Sequence, residues 1–254
     1  MIDLEIKTRT DACEKHGDFQ SKNLFRTIWS KCPACASEAA AAEKAQEEAK
    51  ARAAKVAAWQ RAIGDSGIPE RFHTRTLATF KAENPGQRRA LDFATAFAGD
   101  FDQRQRAGRG AIFIGLPGTG KTHLAVGVGM QLMKQGRPVL FATVMRAIRR
   151  IKDTWARGAE ESESQAVAAL VFPDLLILDE VGIQFGSETE KNLLFDVLNE
   201  RYERRKSTLL LSNLTLDEVR AYLGERVFDR MREDGGECIT FNWASQRAKL
   251  GEAA

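Results

Sequence analysis

From about residue 67 onward, short apolar runs alternate with stretches of helical periodicity. The runs at 111–115, 138–143, 174–179, 207–213 and 237–243 are apolar at successive positions rather than at every second one, which marks strands buried on both faces. Such strands, separated by helical patterns, predict an α/β architecture with a parallel sheet between helices. An amphipathic helix is expected from Lys121 to about Lys134. Upstream the pattern changes. Residues 37–62 are mostly Ala, Glu, Lys, Gln and Arg, with no Gly or Pro, and predict one continuous helix. Large apolar residues are too few there for a sustained coiled-coil seam, so a solvated spacer is expected. Gly64-Asp65-Ser66-Gly67-Ile68-Pro69 then marks a boundary. The predicted organisation is a small cysteine-bearing module at 1–36, a helical linker at 37–66 and the α/β domain at 67–254.

Composition narrows the function classes. With 254 residues and 43% hydrophobic content, the chain can bury a large core. No apolar run approaches the roughly 20 residues a membrane-spanning helix requires. Met1-Ile2-Asp3-Leu4-Glu5 carries no basic segment leading into an apolar one, so neither a leader peptide nor a membrane role is expected and a reducing cytoplasm is. A net charge of +3 does not by itself announce a nucleic-acid binder; any such role rests on local patches.

The run Ala111-Ile112-Phe113-Ile114 leads into Gly115-Leu116-Pro117-Gly118-Thr119-Gly120-Lys121-Thr122, a complete phosphate-binding loop in strand–loop–helix context. Glycines let successive N–H groups turn into a triphosphate, and the helix N-terminus adds partial positive charge. The nucleotide site drawn from this motif comprises Gly115, Pro117, Gly118, Thr119, Gly120, Lys121, Thr122 and His123. ATP is the expected nucleotide, with Lys121 on the β- and γ-phosphates and Thr122 on Mg²⁺. About 60 residues downstream, Leu175-Leu176-Ile177-Leu178-Asp179-Glu180 supplies Asp179 to hold the Mg²⁺. Glu180 follows as the general base for water. The next apolar run ends in Asn213, placed to orient that water or touch the γ-phosphate.

Cys13-x2-His16 and Cys32-Pro33-Ala34-Cys35 are ligand pairs separated by 15 residues. Clustered cysteines in a reducing compartment suggest metal before disulfide, and the two-residue spacing suits one tetrahedral Zn²⁺. A module of this size would need such a staple to fold. Lys15, Lys22, Arg26 and Lys31 interleave with Phe19, Phe25 and Trp29. That pattern suits single-stranded DNA, although a mini-domain core is the favoured reading of the aromatics. Cys238 stands apart, as an inert core thiol.

These motifs together resemble the initiator/loader clade of AAA+ ATPases, and within it the DnaC/DnaI-type bacterial replicative helicase loaders, often carried by phages. The resemblance rests on Gly120-Lys121-Thr122-His123-Leu124-Ala125, Leu178-Asp179-Glu180-Val181-Gly182 and Leu211-Ser212-Asn213. Gly224-Glu225-Arg226-Val227-Phe228-Asp229-Arg230-Met231-Arg232 is similar to the clade's box VII. Phe241-Asn242-Trp243-Ala244-Ser245-Gln246-Arg247 is similar to its sensor II stretch, and Ile151-Lys152-Asp153-Thr154-Trp155 resembles its inserted helix. The resemblance implies an AAA+ core without a separate lid domain and an ATP-dependent oligomer. It also implies a finger arginine acting on a neighbour's γ-phosphate: Arg230 first, Arg226 second. Arg247 would act in cis as sensor II. The partners implied are a hexameric replicative helicase and single-stranded DNA, in a bacterial cytoplasm. Arg146, Arg149, Arg150 and Arg157 fall on one face of a predicted helix, Ile148, Ile151 and Trp155 on another. The basic face would track phosphates, and Trp155 is expected in the core. The rival family is the IstB-like transposition helper ATPases, which act on duplex DNA with a transposase. A non-enzymatic reading is a nucleotide-gated adaptor.

Overall fold

The computed structural model describes residues 7–25, 27–63, 66–182 and 187–246. The chain divides into two compact units, Met1–Ala57 and Ala58–Ala254.

In the first unit, β1 (Thr8–Cys13), β2 (Gly17–Phe25) and β3 (Ile28–Trp29) form an antiparallel sheet in the order β1-β2-β3. The tight turn between Cys13 and Gly17 uses Gly17 at φ 75°, a conformation that costs glycine nothing. Helix α1 (Pro33–Ile63) follows. Pro33 is its first residue, where the missing N–H is not needed and the fixed φ is already helical. The segment after Cys32, placed by its composition in the cysteine-bearing module before the helical tract, is therefore the first turn of that helix and carries Cys35.

In the second unit, all five expected strands are present: β4 (Ala111–Gly115), β5 (Val139–Thr143), β6 (Leu175–Asp179), β7 (Ser207–Ser212) and β8 (Glu237–Phe241). They form one parallel sheet in the order β5-β6-β7-β4-β8. Helices α2 (Pro85–Gly99), α3 (Phe101–Arg106) and α4 (Lys121–Lys134) belong to one layer. On the other side are α5 (Val144–Asp153), α6 (Glu163–Val171), α7 (Glu188–Glu203) and α8 (Leu216–Arg232). Alternation along each strand sorts its side chains between two cores. Ile112, Leu140, Leu176 and Leu210 join the α5–α8 core, whereas Phe113, Phe141, Ile177 and Leu211 join the α2–α4 core.

Helix α4 departs from its expected amphipathicity, because Leu124 through Gly129 are all buried. The segment from Ser66 to Glu83 explains this: it lies over the helix, with Leu77 against Gly127. The same segment closes the sheet edge, as the Phe141 N–H donates to the Ser66 carbonyl at 2.8 Å. One group of the sheet edge is thereby satisfied.

Helix α5 ends at Asp153, earlier than its basic pattern suggested. The Thr154 hydroxyl bonds back to the Ile151 carbonyl at 2.6 Å, a local competitor of helical pairing. Arg157 and Trp155 consequently lie beyond the helix. Trp155 is not core: it is 50% exposed, and its indole N–H donates to Glu163.

Candidate functional site

The phosphate-binding loop emerges from the C-terminal end of β4, between β7 and β8. Gly115, Gly118 and Gly120 have φ of 135°, 79° and 99°, so an L side chain at any of them would be strained. Space forbids one as well. A Cβ on Gly115 would lie 2.2 Å from the Phe241 carbonyl oxygen, and one on Gly120 would lie 2.7 Å from the Phe80 ring. The buried Thr119 hydroxyl donates to the Leu116 carbonyl at 2.8 Å and holds the curl.

Helices α2, α6, α7 and α8 each begin with a capping box, whereas α4 begins at Gly120 with no side-chain cap. Uncapped N–H groups at a glycine-rich helix start form an anion site. Lys121 is buried, with Nζ donating to the Gly115 and Leu116 carbonyls at 2.7 and 2.9 Å.

Strand β6 brings Asp179 to the same edge. The Thr122 hydroxyl donates to Asp179 Oδ2 at 2.9 Å, across 57 positions of sequence. The other Asp179 oxygen accepts the Glu180 N–H at 2.8 Å. Glu180 is exposed and has φ of 64°, a sparsely populated conformation of the kind that clusters at functional sites. Asn213 is exposed and follows β7, the strand between β6 and β4, so it leaves the sheet at this edge too. Gly115, Asp179 and Asn213 are thus assembled from three neighbouring strands.

Residues after β8 brace the loop from behind. Trp243 is buried and its indole N–H donates to the Thr119 carbonyl at 2.9 Å, while the Gln246 N–H donates to the Gly118 carbonyl at 2.9 Å. Arg247 lies outside the described residues. Pro117 is exposed on the loop. His123 turns away from it, with Nε2 2.9 Å from the Thr76 carbonyl and 3.2 Å from the Thr79 hydroxyl. Burial pushes its imidazole below the usual range.

The two candidate finger arginines, both on α8, sit elsewhere. Gly224 at φ 72° interrupts the helix, leaving Arg226 and Arg230 on its second segment. Arg226 is exposed; Arg230 lines a narrow cleft with Gly108, Gly110 and Thr208. Those residues precede or begin β4 and β7, so this is the opposite edge of the sheet. At about 3.3 Å per residue along β4, that edge is roughly 16 Å from the phosphate loop.

On α5, Arg146 and Arg149 are exposed, while Arg150 forms a bidentate pair with Glu161 at 3.2 and 2.7 Å. These residues line an open groove of about 480 Å³ together with Asp153 and Thr154. Arg157 is exposed beyond the helix end.

In the N-terminal unit, Cys13, His16, Cys32 and Cys35 place their ligand atoms within 4.8 Å of one another. Cys13 Sγ to Cys35 Sγ is 3.5 Å, and His16 Nδ1 lies 3.7, 3.7 and 3.2 Å from Cys13, Cys32 and Cys35. Tetrahedral zinc, with sulfur at about 2.3 Å and nitrogen at about 2.0–2.1 Å, separates its ligand atoms by roughly 3.5–3.8 Å. The donor set and its spacing fit that ion. His16 Nε2 faces Glu38 Oε1 at 3.1 Å, which orients the ring so that Nδ1 points inward. Glu38 was not singled out from the sequence; its signal is its place one helical turn after Cys35. Backbone N–H groups of Lys15 and His16 hold the Cys13 thiol down to about 6, and Cys13 in turn pushes Cys35 up to about 11. A divalent cation among them would hold all the thiols in the deprotonated form. Phe25 and Ile28 are 63% and 58% exposed, so these two side chains are not mini-domain core.

A parallel sheet with a phosphate loop after one inner strand, an acidic residue at the tip of another and a strand between them defines an AAA+ P-loop NTPase. A family model described as IstB-like ATP binding protein matches residues 82–233. The replicative helicase loader DnaC of Buchnera aphidicola subsp. Acyrthosiphon pisum is 36% identical over 188 residues, covering 74% of this chain and 75% of that protein. DnaC of Escherichia coli K12 is 35% identical over 191 residues, covering 75% and 76%. The crystal structure of the DnaC helicase loader superimposes with a TM-score of 0.61 at 27% identity, over 68% of this chain and 99% of that one. The chain belongs to the IstB-like ATP-binding family and, within it, to the DnaC replicative helicase loaders.

Proposed function

We propose that this protein is an ATP-dependent loader that places a hexameric replicative helicase on single-stranded DNA in the bacterial cytoplasm. The observation that carries the reading is identity of 35–36% to proteins named replicative helicase loader, over three-quarters of both chains.

In this reading the loop from Gly115 to Thr122 wraps the triphosphate, and Lys121 exchanges the Gly115 and Leu116 carbonyls for the β- and γ-phosphates. Thr122 and Asp179 would hold Mg²⁺, which neutralises phosphate charge when bound. Glu180 takes the proton of the attacking water and Asn213 orients it. Arg230, at the far edge of its own sheet, serves a neighbouring subunit, with Arg226 as the alternative; Arg247 acts in cis. ATP thereby couples hydrolysis to self-assembly. Arg146 and Arg149, with Arg157 and the exposed Trp155, contact single-stranded DNA, phosphates to the arginines and a base to the indole. Arg150 contributes less, being neutralised by Glu161. Cys13, His16, Cys32 and Cys35 bind Zn²⁺ as a closed structural site, and the module they fold docks on the helicase.

The test is the mass of the complex formed with the host's replicative helicase, with and without ATP. Several copies of the chain per helicase hexamer are expected. Absence of a complex under both conditions moves the assignment to an IstB-like transposition helper, a reading that predicts filaments on duplex DNA.

A further inference from the structure

Several arginines of the second unit pair with carboxylates: Arg137 with Asp174, Arg150 with Glu161, Arg204 with Glu200 and Arg220 with Glu225. Arg230 differs. Its Nη1 donates to the neutral Asn199 Oδ1 at 2.6 Å, and its guanidinium lies 4.7 Å over the Tyr202 ring. The Tyr202 hydroxyl is itself held, donating to Glu233 at 2.5 Å. Among the described residues no carboxylate lies within ion-pair distance of Arg230. The group is fixed in direction by an amide and an aromatic face, yet its charge is not cancelled.

We propose that Asn199 and Tyr202, both on α7, are positioning residues for Arg230 as the arginine that completes a neighbouring subunit's ATP site. This rests on the assignment of Arg230 in the reading above. A group that stabilises charge in another subunit must keep its positive charge and must not wander. A neutral acceptor fixes one N–H without neutralising the guanidinium, and a ring face fixes the plane while leaving the remaining N–H groups to the phosphate. Arg226 is exposed, and among the described residues it has no such clamp. Helix α7 follows the segment that leaves Asp179 and Glu180, so the clamp is carried by the element next in the chain after the acidic residues.

The experiment uses two full-length variants mixed on saturating single-stranded DNA. Lys121→Ala removes the ATP site and keeps the finger; Arg230→Ala keeps the ATP site and removes the finger. Each alone is inactive, and mixing restores hydrolysis at the composite site. Retained hydrolysis by Arg230→Ala alone, or no recovery on mixing, overturns the assignment of Arg230. Given recovery, Asn199→Ala or Tyr202→Leu is added to the Lys121→Ala partner. The restored kcat is expected to fall about tenfold or more with KM for ATP unchanged, since a 1 Å misplacement is worth up to about 100-fold. The same changes added to the Arg230→Ala partner have no finger left to misplace and leave the restored rate as it was. Asn199→Asp is expected to lose the restored rate by pairing with Arg230, whereas Tyr202→Phe keeps it. Recovery insensitive to Asn199 and Tyr202, or a loss that is equal in either partner, overturns the inference.

Discussion

At the scale of single residues, conformation and chemistry coincide at Glu180. The motif made it a candidate base, but nothing in the residue order indicated that it would be held at φ 64°. That angle is disfavoured for a residue with a Cβ, and it persists because the Glu180 N–H is captured by Asp179. Glu180→Gln is expected to bind ATP normally while hydrolysis falls at least about 100-fold, as loss of a general base usually costs. Glu180→Gly should lose hydrolysis equally, yet raise the urea midpoint by an amount equivalent to up to about 1 kcal/mol, because glycine accepts the angle. An unchanged midpoint would show that the backbone there carries no strain. A second residue that patterning missed is Arg201, fully buried on α7. Its guanidinium donates to Thr208 and to the carbonyls of Leu170, Val171, Pro173 and Ser207. Five acceptors require a charged donor, although burial pushes the group down from its ordinary range while Asp174 opposes that.

Between elements, Asp174 joins three loops at the start of β6. It is buried and receives Lys206 Nζ at 2.9 Å and Arg137 Nη1 at 3.2 Å. Burial pushes its carboxyl up, but Lys206, Gln105 and Arg137 together outweigh it, and the net shift is downward. A carboxyl lowered by folding contributes stability above its unfolded value and loses it as pH falls through the folded one. The chain should therefore lose stability on acidification below about pH 4. Urea titrations at several pH values should show Asp174→Asn with a shallower acid slope; an identical slope would remove Asp174 from the account. Element boundaries were legible where they rest on local chemistry. The five strands match their apolar runs and α4 matches its tract, whereas α1 begins at Pro33, four residues before its tract and inside the cysteine-bearing segment. The end of α5 was not legible: the basic periodicity continued to Arg157, whereas the helix stops at Asp153, where the Thr154 hydroxyl bonds back to the Ile151 carbonyl.

For the whole molecule, the two units rest on different sources of stability. The three-stranded module has few buried apolar side chains among its described residues, Cys32 being one, so a metal held by Cys13, His16, Cys32 and Cys35 would supply what a core otherwise does. Elemental analysis is expected to find one zinc per chain. Stripping it with a chelator should abolish helicase binding while nucleotide binding persists; a module that keeps its fold without zinc would refute the site. What the residue order determined by itself was local: the glycine loop, the acidic strand end, the cysteine and histidine pairs and the set of strands. Each follows from side chains a few positions apart, whose spacing survives any arrangement of the rest. Only the tertiary structure decided the strand order that sets Gly115, Asp179 and Asn213 side by side, and the return of Trp243 and Gln246 to the loop. It also decided the removal of Arg230 to the opposite edge against the Tyr202 ring, and the turn of His123 away from the glycine loop. These depend on crossovers and on packing between segments tens of residues apart, distances that close through burial of both sheet faces and that linear spacing does not encode.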